Sequence, residues 1–364
     1  MSRAHNFGAG PGVLPESVLA EAQGALWEFD GTGMGLLEIS HRASAFEAVV
    51  ASAKARIARL MNLGPDQEVL FLHGGARTQF FQLPMSLLRG GRAAYLDTGI
   101  WTEAAIEEAR RFGTVDVVWS SAASGWDAVP RPGAWGPLEE GTKYLYYCAN
   151  NTVAGTEYDH VPDPGDAWLI ADISSNLLSA PIDGSRFDVL FGGIQKNLGP
   201  AGVTLVILKR HLLDAMDREL PSMLRYDVHV KNNSLYNTPC TFGIWFVERM
   251  TAWLEAQGGL DVVGARNAAK AARVYAAIDG SDGFYRGRAK VDSRSRMNVT
   301  FTTGSAEGDA AFVAAARDAG LHGLKGHKRL GGLRASLYNA LPDASVDALL
   351  TFMQAWRLGA GRRG

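Results

Sequence analysis

The sequence of 364 residues contains only two cysteines, Cys148 and Cys240, and they lie far apart in the chain. We therefore expect neither a disulfide framework nor a cysteine-based zinc site. The low cysteine content fits a reducing compartment. An excess of charge is also missing, since 36 basic and 38 acidic residues leave a formal net charge of −2. This balance argues against a dedicated nucleic-acid binder, so local groups must hold any anionic ligand.

Long hydrophobic runs are missing as well. The longest apolar stretches, such as VTLVILK, have the length of a strand and are too short to span a bilayer. The N-terminal stretch MSRAHNFGAGPGVLPESVL has no continuous apolar core of signal-peptide length. We therefore expect a soluble, cytoplasmic protein that binds neither membranes nor nucleic acids.

The first two-thirds of the chain alternates strand-like and helical segments. VLFL (69–72) predicts a buried strand, and the HGGAR turn after it leads into a helix predicted from Thr78. AAYLDTG, VDVVWS, KYLYYCAN, WLIADIS and DVLFGG continue the series of strands, and GVTLVILK follows too closely for a helical crossover, so it is predicted to be an antiparallel neighbour. The pattern predicts an α/β fold with a mostly parallel sheet covered by helices.

The pattern changes after a long apolar helix around FGIWFVERMTAWLEAQGG, where Gly258 and Gly259 predict a boundary. The remaining segments predict a small α+β domain. We predict a large domain over residues 15–257 and a small domain over residues 1–14 and 258–364.

Two glycine-containing stretches are candidate phosphate sites. VLFLHGGAR is a strand, a glycine pair and a helix start, where exposed backbone N–H groups bind a phosphate, although an ordinary turn is the commoner interpretation of such a stretch alone. GAGPG near the N-terminus lacks the third glycine of the dinucleotide fingerprint and follows no strand, which argues against a nicotinamide site.

A lysine and an aspartate occupy positions that suit one kind of chemistry. Lys196 lies among small residues in GGIQKNLGPAG, and Asp172 ends the predicted strand WLIADIS, with one further strand between them. A lysine there can form an imine with an aldehyde while the aspartate keeps a heterocyclic nitrogen protonated, as a pyridoxal phosphate site requires. Trp101, after the strand AAYLDTG, is a candidate to stack on a planar ring.

Further motifs follow in order along nearly the whole chain: HNFGAGPGVLP, EISHR, HGGAR, ADISSNLLSAPID, GGIQKNLGPAG, LYNTP, SRMNV and LKGHKRLGGLRASLYNA. The constellation resembles the phosphoserine aminotransferases, a family in class V of the fold-type I pyridoxal phosphate enzymes. The resemblance implies a large domain with a mostly parallel sheet, a small α+β domain, the cofactor pyridoxal 5'-phosphate and a homodimer with shared active sites.

The resemblance also implies residue roles. Lys196 would form the Schiff base and Asp172 would pair with the pyridinium nitrogen. The other implied cofactor contacts are Trp101 on the ring, Thr152 near the ring hydroxyl, Ala76, Arg77 and Gln195 around the phosphate, and Asn237 and Thr238 from the other subunit. The implied substrate-binding residues are His41, Arg42, His327, Lys328 and Arg334, with Arg334 on the α-carboxylate.

Two positions depart from the family pattern. Ala9 replaces a serine that touches substrate, and Lys328 replaces an arginine, which gives a point charge in place of a planar fork. Arg329 follows directly and is a candidate replacement for that arginine. Both departures concern the substrate side, and neither touches the cofactor residues.

The activity implied by the resemblance is a reversible transamination of O-phospho-L-serine and 2-oxoglutarate to 3-phosphohydroxypyruvate and L-glutamate, in serine biosynthesis. The 4-phosphohydroxy-L-threonine of vitamin B6 synthesis stays open as a further substrate. Lys196 would move a proton between the substrate Cα and the cofactor.

Other functions compete with this one. An alanine- or serine-glyoxylate aminotransferase needs the same cofactor groups and is the main alternative. A cysteine desulfurase is disfavoured because no cysteine follows Cys240. A nicotinamide-dependent dehydrogenase lacks its glycine fingerprint, and a catalytically silent cofactor-binding protein does not need the Lys196–Asp172 pair.

Overall fold

The computed structural model describes residues 3–360, so the outermost ends of the predicted small domain, 1–2 and 361–364, lie outside the described residues. The strands are β1 (His5–Asn6), β2 (Gln67–Gly74), β3 (Arg92–Asp97), β4 (Thr114–Ser120), β5 (Thr142–Cys148), β6 (Asn150–Asn151), β7 (Thr156–Glu157), β8 (Trp168–Asp172), β9 (Val189–Gly193), β10 (Gly202–Lys209), β11 (Arg286–Gly287), β12 (Asn298–Thr302), β13 (Leu321–His322) and β14 (Leu333–Ser336). The helices are α1 (Glu16–Trp27), α2 (Ser44–Leu60), α3 (Ala76–Leu87), α4 (Ile100–Ala109), α5 (Leu212–Ala215), α6 (Tyr226–Lys231), α7 (Thr241–Ala256), α8 (Gly259–Asp279), α9 (Ala306–Asp318) and α10 (Asp343–Ala360).

A seven-stranded sheet in the order β2-β10-β9-β8-β5-β3-β4 forms the centre of the fold. Strand β10 is antiparallel to both of its neighbours, whereas the other adjacent pairs are parallel. The predicted α/β class and the predicted antiparallel position of GVTLVILK are therefore confirmed. Because β2 and β9 both oppose β10, six strands end at the same edge of the sheet.

Successive residues of each central strand enter two separate hydrophobic cores. In β2, Val69 and Phe71 belong to the core shared with α1, α2 and α7, while Leu70 and Leu72 belong to the core shared with α3 and α4. Neighbouring side chains of a strand point to opposite faces, so apolar residues at every position require cover on both sides. The continuous apolar runs in the sequence reflect this double burial.

A third hydrophobic core joins the N-terminal strand to the C-terminal part of the chain. Strand β1 pairs with β13, and β11, β12 and β14 form a three-stranded sheet. Phe7 and Phe312 lie in this core, both fully buried. Helix α8 connects the cores, because Leu260 near its start packs in the first cluster and Val274 in the third.

Helix α3 begins two residues earlier than the sequence predicts. It starts at Ala76, after Gly75 in an extended conformation, and not at Thr78. The Gly75 carbonyl accepts hydrogen bonds from the amide and the hydroxyl of Thr78 at 2.9 and 2.7 Å. These bonds close the first turn before Thr78, which makes Gly75 the N-cap.

No helix within residues 3–360 is long and apolar enough to cross a membrane.

Candidate active site

The loops that carry the predicted chemistry meet at the carboxyl edge of the large sheet. Asp172 ends β8, Gly193 ends β9 three residues before Lys196, and Gly74 ends β2 just before helix α3. Ligands of open α/β sheets bind at this edge, because the loops after parallel strands diverge there and leave a crevice. The sheet topology thus gathers segments that are more than a hundred residues apart in sequence.

The Asp172 side chain is buried and fixed by one neighbour. Its Oδ1 atom accepts hydrogen bonds from the amide and the hydroxyl of Ser174, at 2.9 and 2.6 Å. The Ser174 hydroxyl in turn accepts a bond from the amide of Gly193 at 3.2 Å, which ties the aspartate to the strand before Lys196. Burial raises the pKa of Asp172, while the charge of Lys196 and the bonds from Ser174 oppose that shift. A cation placed beside this carboxylate would lower the pKa and keep it ionised.

Lys196 is half-buried and contacts Thr152 from the loop after β6. Its Nζ donates a hydrogen bond to Thr152 Oγ1 at 2.7 Å. Burial lowers the pKa of the lysine, the charge of Asp172 raises it, and the charge of Arg334 lowers it further. The structure therefore brings Lys196, Asp172, Thr152 and Arg334 together, and it favours a lysine that releases its proton more readily than a lysine in water.

The candidate phosphate site lies where helix α3 begins. The first amides of a helix have no partner inside the helix and carry the positive end of its dipole, so Ala76 and Arg77 present free donors. The Arg77 guanidinium lies 5.3 Å from the ring centre of Trp101, the second residue of α4. Gln195 folds back over Gly193, where a Cβ would lie 2.4 Å from Gln195 Oε1.

The N-terminal GAGPG stretch covers the lysine loop. The Gly12 amide donates to the Gln195 carbonyl at 2.8 Å, and a Cβ at Gly12 would lie 2.3 Å from the Lys196 carbonyl oxygen. The Ala9 carbonyl accepts a hydrogen bond from the Tyr338 hydroxyl at 2.8 Å. This segment is thus a wall of the site, where only glycine permits the close approach.

Arg334 of β14 approaches the same place from the small sheet. Its Nη1 lies 3.4 Å from the Thr152 carbonyl oxygen, and its buried Nε has no hydrogen-bond partner within residues 3–360. Burial lowers the pKa of His327, and so do the charges of Arg334, Lys328 and Arg329. The charge of Arg334 thus reaches His327, whereas the Lys328 side chain is exposed.

Arg329 is not available as a replacement for the missing arginine in the orientation it adopts. Its guanidinium forms a two-pronged ion pair with Glu103 of α4 and lies 5.0 Å from the ring centre of Trp126. Arg329 therefore does not take over from the arginine that Lys328 replaces, because an acidic residue on another element already binds its guanidinium.

Four predicted residues lie away from the lysine. Asn237 Nδ2 and the Thr238 carbonyl both contact His73 Nε2, at 3.2 and 3.1 Å, beside the end of β2. His41 is buried, its Nε2 has no hydrogen-bond partner among the described residues, and Arg42 is exposed. Within residues 3–360, neither His41 nor Arg42 forms a side-chain hydrogen bond or ion pair with another predicted site residue.

The chain as a whole resembles known proteins. The model of the family described as Aminotransferase class-V matches residues 4–349 of this chain. The chain belongs to the class V aminotransferases.

Individual class V relatives resemble the chain over its full length. A phosphoserine aminotransferase of Niallia circulans is 45% identical over 99% of each chain. The solved phosphoserine aminotransferase of Bacillus circulans subsp. alkalophilus covers 100% of this chain and 99% of its own, with 45% identity and a TM-score of 0.96. A PLP-bound phosphoserine aminotransferase of Trichomonas vaginalis covers 97% and 100%, with 36% identity and a TM-score of 0.91.

Membership of the class V aminotransferases excludes the nicotinamide-dependent dehydrogenase. Sequence reasoning missed three contributors to the site of this aminotransferase: Ser174 behind Asp172, Tyr338 on the N-terminal wall, and Glu103 on α4. Ser174 follows Asp172 by two residues, a spacing that allows such a side-chain bond to the backbone. The contacts of Tyr338 and Glu103 join segments 329 and 226 residues apart, and no local signal marks them.

Proposed function

We propose that the protein is a phosphoserine aminotransferase that uses pyridoxal 5'-phosphate to interconvert O-phospho-L-serine and 2-oxoglutarate with 3-phosphohydroxypyruvate and L-glutamate. The observation that carries the proposal is Lys196, whose Nζ lies 2.7 Å from Thr152 Oγ1 and within the electrostatic reach of buried Asp172. The relatives that are 45% identical over nearly the full chain bear the same name, which favours this activity over a glyoxylate-linked one.

The residues at the sheet edge fit pyridoxal phosphate. A buried carboxylate suits a protonated ring nitrogen, a half-buried lysine suits an aldehyde, and the free amides at the start of α3 suit a phosphate. Gly10 lies against the Lys196 side chain, since a Cβ at this position would lie 3.4 Å from Lys196 Cγ. Glycine therefore leaves more space beside the lysine than a larger residue would. Asp172, Lys196, Thr152, Trp101, Ala76, Arg77 and Gln195 would hold the cofactor.

When bound, pyridoxal phosphate supplies an aldehyde that combines with amino groups and a protonated ring that withdraws electrons from the substrate Cα. Lys196 Nζ removes and returns the proton at Cα, a role that suits an amine whose pKa is lowered by burial. Thr152 Oγ1 fixes the position of that amine. Asp172 keeps the proton on the ring nitrogen, and Ser174 holds the carboxylate in place.

The substrate side is built from cations. Arg334 binds the α-carboxylate, since its planar fork matches a carboxylate and its buried Nε has no partner in the part of the chain that the structure describes. His327 and Lys328 bind the distal phosphate of phosphoserine or the distal carboxylate of 2-oxoglutarate. The 4-phosphohydroxy-L-threonine of vitamin B6 synthesis carries the same two anionic groups and is a further proposed substrate.

A homodimer completes this site. Asn237 and Thr238 would reach the partner's cofactor, and His41 and Arg42 would contribute to a shared phosphate pocket. Support comes from the segment that precedes His41, where Leu26, Trp27, Met34 and Leu37 are exposed, Trp27 by 88%. Several exposed large apolar side chains in one segment are typical of an interface. Sedimentation equilibrium checks the dimer, and a monomer at micromolar concentration would contradict it.

The division into domains and the location are proposals as well. Separate cores support a large domain over residues 15–257 and a small domain over residues 1–14 and 258–364, as far as these residues are described. Cys148 and Cys240 are free thiols, which suits the cytoplasm.

An assay of glutamate formation from 2-oxoglutarate tests the activity. We expect phosphoserine to be a far better amino donor than serine or alanine, because only phosphoserine carries a distal dianion. A preference for alanine with glyoxylate as acceptor would overturn the phosphoserine proposal and favour the alternative aminotransferase.

A further inference from the structure

The loop between β13 and β14 carries His327 and Lys328 and is held in one shape by its own backbone. The His327 carbonyl accepts hydrogen bonds from the amides of Leu330 and Gly331, at 3.1 and 2.8 Å. The chain folds so tightly that a Cβ at Gly326 would lie 2.1 Å from the Gly331 carbonyl oxygen. These contacts close the turn on itself, so residues 327–331 form one compact unit.

Arg329 connects this unit to the large sheet. Its guanidinium binds both carboxylate oxygens of Glu103, and its other contact is the Trp126 ring at 5.0 Å. Glu103 lies on α4 two residues after Trp101, and Trp126 is buried in the connection between β4 and β5. Helix α4 and the connection between β4 and β5 therefore both contact one side chain of the loop.

The anchor on α4 is itself rigid. Thr102 is buried, and its hydroxyl accepts bonds from the amides of Thr98 and Gly99 at 3.0 Å while it lies 2.9 Å from Asp97 Oδ1. These contacts fix the first turn of the helix that carries Glu103. The Arg329 amide lies 3.3 Å from His327 Nδ1, so the anchored residue is also in contact with a predicted phosphate binder.

We propose that Arg329 is a positioning residue that, through Glu103 and Trp126, places His327 and Lys328 for the distal anion of the substrate. The inference rests on the proposed function and deepens it, since the substrate class is an amino or keto acid with a distal phosphate or carboxylate. Arg329 does not touch the substrate in this role. It compensates for Lys328, whose flexible side chain needs a fixed backbone to deliver its charge to one place.

The decisive experiment compares Glu103→Gln with Glu107→Gln in the cofactor-loaded enzyme. Glu107 is exposed on the same helix, so its substitution removes the same charge and leaves the Arg329 contacts intact. We expect Glu103→Gln to raise the KM for phosphoserine about three- to tenfold with kcat nearly unchanged, since a half-exposed ion pair and a cation–π contact are each worth little alone. Glu107→Gln should match the wild type.

Arg329→Gln should raise the KM at least as much, because it removes the Trp126 contact as well as the ion pair. Adding Glu103→Gln to Arg329→Gln should change nothing further, because the ion pair is already lost. Arg329→Lys should raise the KM less than Arg329→Gln does, because lysine keeps the positive charge. A rise in KM for Arg329→Gln with none for Glu103→Gln would overturn the proposal, because it would mean that Arg329 binds the substrate directly.

Limited trypsin digestion reports on the loop independently of the enzyme's activity. The exposed sites after Lys325 and Lys328 should be cleaved faster in Glu103→Gln than in Glu107→Gln or the wild type. Equal cleavage rates in the two variants would overturn the anchoring role. If the wild type did not use phosphoserine, the proposed function would be wrong, while the digestion would still decide whether Glu103 anchors the loop.

Discussion

Two buried lysines, Lys196 at the sheet edge and Lys270 in helix α8, show how differently the same side chain can be placed. Lys270 is fully buried, and its Nζ donates to the carbonyls of Tyr338 and Leu341, at 3.0 and 3.3 Å. Lys196 is partly open, contacts a hydroxyl and lies near the carboxylate of Asp172.

Burial lowers the pKa of both amines, that of Lys270 to about 7. A lowered pKa therefore does not by itself make a lysine catalytic. What distinguishes Lys196 is that its acidic neighbour, Asp172, is buried, that a side-chain hydroxyl fixes Nζ, and that the crevice at the carboxyl edge gives access. Lys270 instead ties α8 to the chain after β14, and its role is structural.

The largest expected effect is on kcat, and it tests the contrast between a catalytic and a structural lysine. Lys196→Ala should lower kcat by about a thousandfold or more, because it removes both the attachment point and the proton carrier. Lys231→Ala, a change of an exposed lysine on α6, should leave kcat unchanged. Steady-state assays with phosphoserine and 2-oxoglutarate measure both, and a normal kcat in Lys196→Ala would refute the mechanism.

The acidic neighbour is tested by Asp172→Asn, which keeps the shape and removes the charge. We expect kcat to fall by about a hundredfold or more, because the buried negative charge that would keep the ring nitrogen protonated is lost. Ser174→Ala should give a smaller loss, because the charge stays and only its hydroxyl partner is removed. Equal kcat values for Asp172→Asn and the wild type would show that the carboxylate has no electronic role.

Arg334→Lys tests the cation whose charge reaches Lys196. The substitution keeps the charge and loses the planar fork, so the KM values for phosphoserine and glutamate should rise together by about tenfold. Arg286→Lys is a matched control, since Arg286 is exposed on β11 of the same small sheet and contacts the Gly283 carbonyl at 3.4 Å. A rise for only one of the two substrates would contradict a role on the α-carboxylate that both share.

The last prediction, for Lys270→Met, concerns stability and not turnover. The folded-state pKa of about 7 lies below the ordinary value of 10.5, so between these pH values the unfolded chain holds a proton that the folded chain has released. The free energy of unfolding of the wild type should therefore rise with pH across this window, by up to about 1.4 kcal/mol per pH unit from this group.

Urea denaturation at several pH values measures this slope. Lys270→Met should lack the contribution, while Lys231→Met should retain it, because that exposed side chain gains no burial on folding. Identical slopes in the wild type and Lys270→Met would mean that the buried amine stays protonated.

Local patterns in the sequence predict the sheet, its antiparallel strand and the pairing of Lys196 with Asp172. These features depend on strand length, apolar runs and the positions of strand ends, which neighbouring residues determine. The start of α3 is predicted two residues late, because Gly75 closes its first turn through Thr78.

The contacts between distant segments are not predictable in this way. Arg329 and Glu103 are 226 residues apart and lie on elements that meet only when the small sheet packs on the large one. The same holds for Gly12 over the Lys196 loop, which the weak GAGPG motif does not indicate. Whether Lys328 or Arg329 faces the substrate depends on these long-range partners.

The visible absorption spectrum of the enzyme loaded with pyridoxal phosphate tests the central claim most directly. The account predicts a yellow band in the wild type that phosphoserine bleaches at concentrations at which alanine leaves it unchanged. No such band after incubation with the cofactor would contradict the role of Lys196. A band that alanine bleached as readily as phosphoserine would contradict the phosphate-binding site.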